Sequence, residues 1–497
     1  MTVIALVLIV FCLGIIIIGV FIPHSVKVGQ LPTTLGSKTS DDSLSITLAS
    51  DSDVATETTL SSLSNKLPSS LGPKTGDTSL SVVQGTATSF LVQPIPSMID
   101  AFSRSRISFP YTLFFDTSEY GLNLLKWETQ AVGSGAFSFV PFTSAVTIST
   151  GGTASGASFI RQSRYFSRYQ PGKSQFITMT FCFSEAVSNA YSAVGYFDDE
   201  NGFYLQYDES GLTINERSNV TGTPITTSIN QSNWNIDPLN GSGPSGITID
   251  PTNIQILVID LQWLGGGRVR VGFDITGERI FAHEFLHANL IRNAYTTSGS
   301  LPVRYEVTNT GISVGTQTMK TLCASVMSEG GSEPLTEPSF SAANGVTDKA
   351  IASGTLTPIL SIRSRATIYA DDNMPNRGHI RVLYVSIMNT GGANPIYFQA
   401  MMNPALTGAS FSNVNIAESM AMFDTSATAA TGGSIIVSGY VPAAASGRGD
   451  IEGNSWTQDL PMVTTALGGI QDTLTVMCAG MGGVSTAVAT IQWREIY

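Results

Sequence analysis

The sequence predicts an all-β chain: two antiparallel β-sandwiches behind an N-terminal transmembrane helix and a Ser/Thr-rich stalk. Three observations predict it. Short apolar runs with period-two alternation recur from residue 93 onward, separated by clusters of Gly, Asn, Asp, Ser and Pro. Long helical periodicity is scarce over the same stretch. A charge-free apolar run stands at the N-terminus, and the composition shifts sharply after it.

The N-terminal run, Val3 to Ile22, is 20 residues long and uncharged. As a helix it would cross a hydrocarbon core of ~30 Å. A cleaved leader fits less well, because no Lys or Arg precedes the run and Pro23-His24-Ser25 offers no small-x-small site. A retained anchor over residues 1–25 is therefore expected. Residues 26–92 are rich in Ser, Thr, Gly and Asp, with no aromatic before Phe90. Such a stretch buries too little apolar surface to offset its chain entropy, so it reads as a stalk or an extended arm.

Residues 93–340 carry the first sandwich. Its most informative stretch is Asn253 to Leu290. Two apolar runs, Ile254–Leu264 and Val269–Ile275, flank Gly265-Gly266-Gly267, which predicts a central hairpin with a glycine turn. In the second run Val269, Val271, Phe273 and Ile275 alternate with Arg270, Gly272 and Asp274, so one face should be buried and the other wet. Thr276-Gly277 reads as a further turn. Upstream, Gln175–Ser184, Val194–Phe197, Phe203–Asp208 and the run after Gly211 are strand candidates. The turns Asp198–Gly202 and Glu209–Gly211 separate the later ones.

Four segments carry a resemblance: RYQPGKS (Arg168–Ser174), GYFDDENGFYLQYD (Gly195–Asp208), the stretch Gln231–Phe273, and LPVRYEV (Leu301–Val307). Together they resemble a module of structural proteins, capsid-associated or fibre-like, of large double-stranded DNA viruses and tailed phages. The resemblance implies a concanavalin-like (laminin-G-like) sandwich and transfers no catalytic residues.

Residues 341–497 hold six further strand candidates: ILSIRSR, GHIRVLYVSIMN, NPIYFQAMM, GGSIIVSGYV, DTLTVMCAG and TAVATIQWREIY. They predict a second antiparallel sandwich of jelly-roll type.

Several motifs invite chemistry. His283-Glu284-Phe285-Leu286-His287 spells HExxH, which binds zinc only when a helix projects both His from one face. The preceding GERIFA reads as strand, and Leu290 and Asn293 stand where the extended motif needs Gly and a third His. Asp198-Asp199-Glu200-Asn201-Gly202 has oxygen ligands for calcium, though such turns are common for backbone reasons. Arg448-Gly449-Asp450 follows the flexible run Pro442–Gly447; an exposed RGD loop can bind integrins, though such a tripeptide arises often by chance, and Asn219, Asn230 and Asn240 each begin a glycosylation sequon. The four cysteines, Cys12, Cys182, Cys323 and Cys478, form no CxxC pair; Cys182 and Cys478 read as small buried hydrophobes.

Charged residues make up 12% of the chain, its net charge is −12 and its pI is near 4.8, which excludes broad nucleic-acid binding. The expected function is a non-enzymatic virion structural protein. It would be a membrane-anchored minor capsid or capsid-associated component linking coat and membrane. Its partners would be other capsid proteins, among them the major capsid protein, together with the membrane, on the inner-membrane side of the capsid. The alternative is an attachment or fibre protein that binds glycan through the first sandwich, with Tyr196, Tyr204 and Trp263 as stacking candidates. A zinc hydrolase built on HExxH is the third reading. No catalytic, cofactor-binding or metal-binding residue and no cofactor are expected.

Overall fold

The computed structural model describes residues 99–106, 109–331, 337–368, 375–391, 393–443 and 461–496 in full. For the strands Ile4–Phe11, Gly14–Phe21, Val82–Gln84, Phe90–Val92 and Arg448–Glu452 it describes the backbone alone. The chain divides into two units, Met1–Gly72 and Pro73–Tyr497.

In the first unit the expected transmembrane helix is corrected. Ile4–Phe11 and Gly14–Phe21 pair as an antiparallel hairpin, from Ile4↔Phe21 to Phe11↔Gly14. Both arms are dominated by Ile and Val, whose branched side chains favour strand over helix, and Gly14 opens the second arm. Among the described residues no helix is long and apolar enough to cross a membrane. The stalk lies outside the described residues, apart from the paired strands Val82–Gln84 and Phe90–Val92.

The second unit is all-β, with antiparallel sheets. Sheet A runs, in spatial order, Glu278–Phe285, Val269–Ile275, Gln255–Leu261, Ser174–Phe183, Thr318–Glu329, Ala145–Ser149 and Ala136–Val140; Pro110–Asp116 also pairs with Thr318–Glu329. Sheet B runs Ile225–Asn230, Gly211–Ser218, Gly202–Asp208, Ala190–Phe197, Val303–Asn309, Ser158–Ser163 and Trp127–Val132. Alternate residues of both sheets share one core: Ile177, Met179, Leu257 and Val271 from sheet A meet Val194, Phe203, Leu205 and Tyr305 from sheet B. This is the first sandwich.

The glycine hairpin forms as the alternation predicts, and Gly265 takes φ +73°, which a side chain would strain. It lies toward one edge of sheet A rather than at its centre. The expected wet face is corrected as well. Arg270 is only 2% exposed. The segment Ile99–Arg106 lies across this face, and Arg270 donates to the Ile99 carbonyl at 2.8 Å while pairing with Asp260. Arg106 bridges Asp260 and Glu329. Its guanidinium lies 4.7 Å from the Phe176 ring centre, and that of Arg270 lies 4.2 Å from the ring centre of Phe281. Burial raises the Asp260 carboxyl above its usual range, against the pull of Arg106 and Arg270.

The second sandwich follows. Sheet C runs Ser339–Ala343, Ser485–Ile496, His379–Gly391 and Arg448–Glu452, with Lys349–Ile351 also on Ser485–Ile496. Sheet D runs Ser412–Asn413, Ala421–Asp424, Thr357–Ser364, Thr473–Gly480, Ile396–Met402 and Ser434–Val441. Val382, Val385, Ile491 and Trp493 of sheet C close on Ile362, Phe398, Leu474 and Val476 of sheet D. All six strand candidates read from the sequence lie in these sheets. The two sandwiches touch through specific groups. The Glu128 carboxylate of sheet B accepts the Ala466 and Leu467 N–H groups at 3.1 and 3.0 Å, and Tyr165 meets His379 edge-on at 5.6 Å.

Candidate functional site

The outer face of sheet B is the surface where chemistry-bearing side chains converge. Alternation puts Val194 and Tyr196, Phe203 and Leu205, Leu212 and Ile214, and Val303, Tyr305 and Val307 inward. Their neighbours therefore face out. Strand register then fixes two rows across the sheet. One runs Asn215, Tyr204, Gly195, Arg304, Gln162, Glu128; the next runs Thr213, Gln206, Ala193, Glu306, Ile160, Gln130. Gly195 and Ala193, having almost no side chain, lie between Tyr204 and Gln206 on one side and Arg304 and Glu306 on the other, and both are buried beneath the side chains around them, Ala193 against Phe197, Tyr204 and Tyr191.

The side chains on this face are held in place by one another. Tyr204 stacks on Phe197 with ring centres 4.4 Å apart. Arg217 lies over both rings, and Arg304 over Phe197. Arg217 also donates to the Tyr204 hydroxyl at 3.1 Å and to the Asp198 carbonyl at 2.8 Å. Arg304 pairs with Asp199 at 2.7 Å and with Glu306 at 2.8 Å. Burial works against its charge, yet the two carboxylates hold its pKa above the usual value. Tyr191 donates its hydroxyl to Glu306, and burial together with that carboxylate pushes the phenol far up. Phe197 and Tyr204 are 1% and 3% exposed, so they form a bed for the guanidiniums rather than a bare stacking surface. Tyr191, Gln206, Arg217 and Thr308 are half-buried and within reach of a ligand.

The motifs read from the sequence do not join this face as sites. His283 and Glu284 lie on the strand Glu278–Phe285, and the helix that a zinc-binding HExxH needs is absent. His283 Nδ1 accepts the Asn235 N–H at 3.2 Å, and Glu284 Oε2 sits 3.8 Å from Arg268. Both nitrogens of His287 face oxygen acceptors, the Gly267 carbonyl at 2.6 Å and Glu216 at 3.0 Å, leaving no lone pair directed at a metal. Beside it opens a shallow hollow of about 340 Å³ lined by Leu264, Gly265, His287 and Ala294. Among the described residues no group of three or more His, Cys, Asp or Glu could hold a metal ion.

In the acidic turn, Asp198 accepts the Glu200 and Asn201 N–H groups at 2.9 and 2.7 Å, and burial raises its carboxyl. Asp199 is taken by Arg304. These partners are backbone amides and a cation, not a calcium cage. Arg448-Gly449-Asp450 is not in a loop: it pairs in extended ladder with Met388, Ile387 and Ser386. Of the sequons, Asn230 and Asn240 are exposed and Asn219 is half-buried.

Of the aromatic residues proposed to stack on sugar, Tyr204 lies on the face. Tyr196 points into the core, where its hydroxyl donates to the Ser167 carbonyl at 3.0 Å. Trp263 packs against that core and donates to Thr296 at 2.9 Å. Cys182, Cys323 and Cys478 are unpaired; Cys478 is buried, Cys182 half-buried and Cys323 exposed. The sequence reading missed Tyr191, Phe197, Arg217 and Arg304. The alternation in Val303–Asn309 carries the signal for the last, since Arg304, Glu306 and Thr308 take every other place.

No family model and no curated protein matches the chain. Solved structures do. A glycosyl hydrolase family protein from Mycobacterium fortuitum is 14% identical; the match covers 44% of this chain and 99% of that one, with a TM-score of 0.30. A β-1,3-glucanase from Mycobacterium marinum is 11% identical over 44% of this chain and 99% of that one, TM-score 0.31. The carbohydrate recognition domain of Emp46p is 10% identical over 44% and 95%, TM-score 0.26. The expectation that the chain is no enzyme is corrected: the solved structures it is similar to include glycosyl hydrolases.

Proposed function

We propose that the chain binds glycan along the outer face of sheet B. The observation that carries this reading is the row of planar, hydrogen-bonding side chains held in place on this face, with Arg217 seated over the Phe197 and Tyr204 rings. A saccharide presents hydroxyls in pairs, which guanidinium and amide groups engage two at a time. Arg217 and Gln206, both half-buried, supply such groups, and Tyr191 adds an aromatic body with a polar tip. Rings stacked beneath Arg217 fix its position in advance, which lowers the entropy cost of binding. A glycan array probed with the full chain and with Arg217→Ala tests the reading. Selective binding by the parent, lost in the variant, is the expected result; no binding across the array overturns it.

A second reading is a virion structural component held among coat proteins on the membrane side of a capsid. What favours it, besides the resemblance of Gln231–Phe273 and its flanking motifs, is apolar surface turned to solvent: Phe109, Tyr120 and Phe142 are exposed almost completely. Cross-linking of intact particles, followed by mass spectrometry, should then join residues near Phe142 to a coat protein. Links only to copies of this chain would count against it.

A further inference from the structure

The strand Ala136–Val140 ends sheet A. It pairs with Ala145–Ser149 on one side, and on the other no strand meets it among the described residues. Edge strands are ordinarily blunted by charge, proline or a bulge. This one reads Ala-Phe-Ser-Phe-Val, pairs without a register shift, and has no charged residue from Thr129 to Ile160 around it.

Exposed apolar side chains sit on this strand, just after it, and on the segment Phe115–Leu125, whose Gly121 approaches the strand. Phe142 is 99% exposed and Tyr120 92%, with Phe115, Leu124, Leu125, Phe137 and Val140 each about half or more exposed. The loop that carries Tyr120 lies on the strand, because a Cβ built on Gly121 would stand 3.9 Å from the Phe139 ring. At about 200 Å² per fully exposed aromatic ring, the four aromatic side chains offer on the order of 600 Å². Adding Leu124, Leu125 and Val140 brings the patch to roughly the 800 Å² that each partner gives to a standard interface.

The occupant that fits is a second copy of the chain. An isologous interface requires that residue i meet j while j meets i. The strand is nearly palindromic about Ser138, so antiparallel pairing on a two-fold sets Phe137 against Phe139 of the copy, Ala136 against Val140, and Ser138 against Ser138. Every cross-strand pair is then apolar or neutral, and no like charges meet. We propose that the chain forms a two-fold dimer by antiparallel pairing of Ala136–Val140 with its copy, joining the two A sheets into one. The proposal rests on neither functional reading above, and it assigns Tyr120 and Phe142 to the copy rather than to a coat protein.

Sedimentation velocity on the full chain tests it, with two substitutions. Phe142→Glu touches no core group and should weaken the dimer at least tenfold while leaving thermal unfolding unchanged. Ser138→Cys should give a disulfide-linked dimer with oxidised glutathione, because residues facing each other across an antiparallel pair have Cα atoms about 4.5–5.5 Å apart, within disulfide reach. The parent chain under the same oxidation gives the background from its own thiols, and Ala136→Cys should not exceed that background. A monomer at all concentrations overturns the proposal. So does a dimer indifferent to Phe142→Glu and not cross-linked through Ser138→Cys, which would place the interface elsewhere.

Discussion

Arg164 of the first sandwich donates from Nη2 to Oδ1 of Asp472 in the second, at 2.6 Å. The same Asp472 oxygen accepts the Asn403 amide at 2.8 Å, and its partner oxygen accepts the Val463 N–H at 3.1 Å. Val463 in turn belongs to the core of the first sandwich. One carboxylate therefore ties a guanidinium, an amide and a backbone donor across the junction. Asp472→Ala should lower stability by about 3 kcal/mol, because it strands a partly buried cation and a buried N–H. Urea denaturation checks this: a lower midpoint is expected, with the two sandwiches unfolding in separate steps.

Two histidines should give opposite pH dependences. His379 is buried against Tyr165, and burial, with Arg381 nearby, pushes its pKa down to about 3. It is neutral when folded, whereas the unfolded chain protonates it near 6.5. Its contribution is thus present above pH 6.5 and is lost as pH falls toward 3. For His287, burial opposes the charge but Glu216 and the Gly267 carbonyl raise the pKa. Its contribution is full below the unfolded pKa and lost as pH rises through the folded one. Melting temperature against pH should show a shallower acid limb in His379→Gln and a flatter alkaline side in His287→Gln. The reverse assignment would contradict the geometry.

Zinc should not bind at HExxH, since His283 and Glu284 are on a strand and His287 spends both nitrogens on oxygens. Metal analysis of the purified chain should find no stoichiometric zinc, and Glu284→Gln should leave melting unchanged. About one zinc per chain, lost on His283→Ala, would refute the statement.

What the sequence made legible was periodicity and its breaks. Val269–Ile275, Ser174–Phe183 and Gly202–Asp208 alternate cleanly, and the turns at Asp198–Gly202, Glu209–Gly211 and Thr276-Gly277 carry residues suited to them. Which polar face would be covered was not legible. Arg270 alternates like a solvated residue, and only the non-local strap Ile99–Arg106 makes it buried. The outer face of sheet B was half legible. Alternation predicts that Tyr204 and Gln206 share a face, but it cannot place Arg304 and Glu306 beside Gly195 and Ala193. That adjacency comes from pairing across more than a hundred residues. The N-terminal run misled because length and apolarity fit a membrane helix as well as they fit two β-branched arms around Gly14.

Titration calorimetry tests the proposed glycan-binding face most directly. A glycan selected on the array is titrated into the parent chain, into Arg217→Ala and into Tyr191→Phe, with thermal unfolding recorded for each. Binding on this face predicts saturable binding by the parent and a loss of at least tenfold in Arg217→Ala. Tyr191→Phe, which keeps the ring and removes the hydroxyl held by Glu306, should show a smaller loss. Melting should be unchanged in all three. Equal affinities in parent and variants, with all three folded, would contradict the assignment of the ligand to this face.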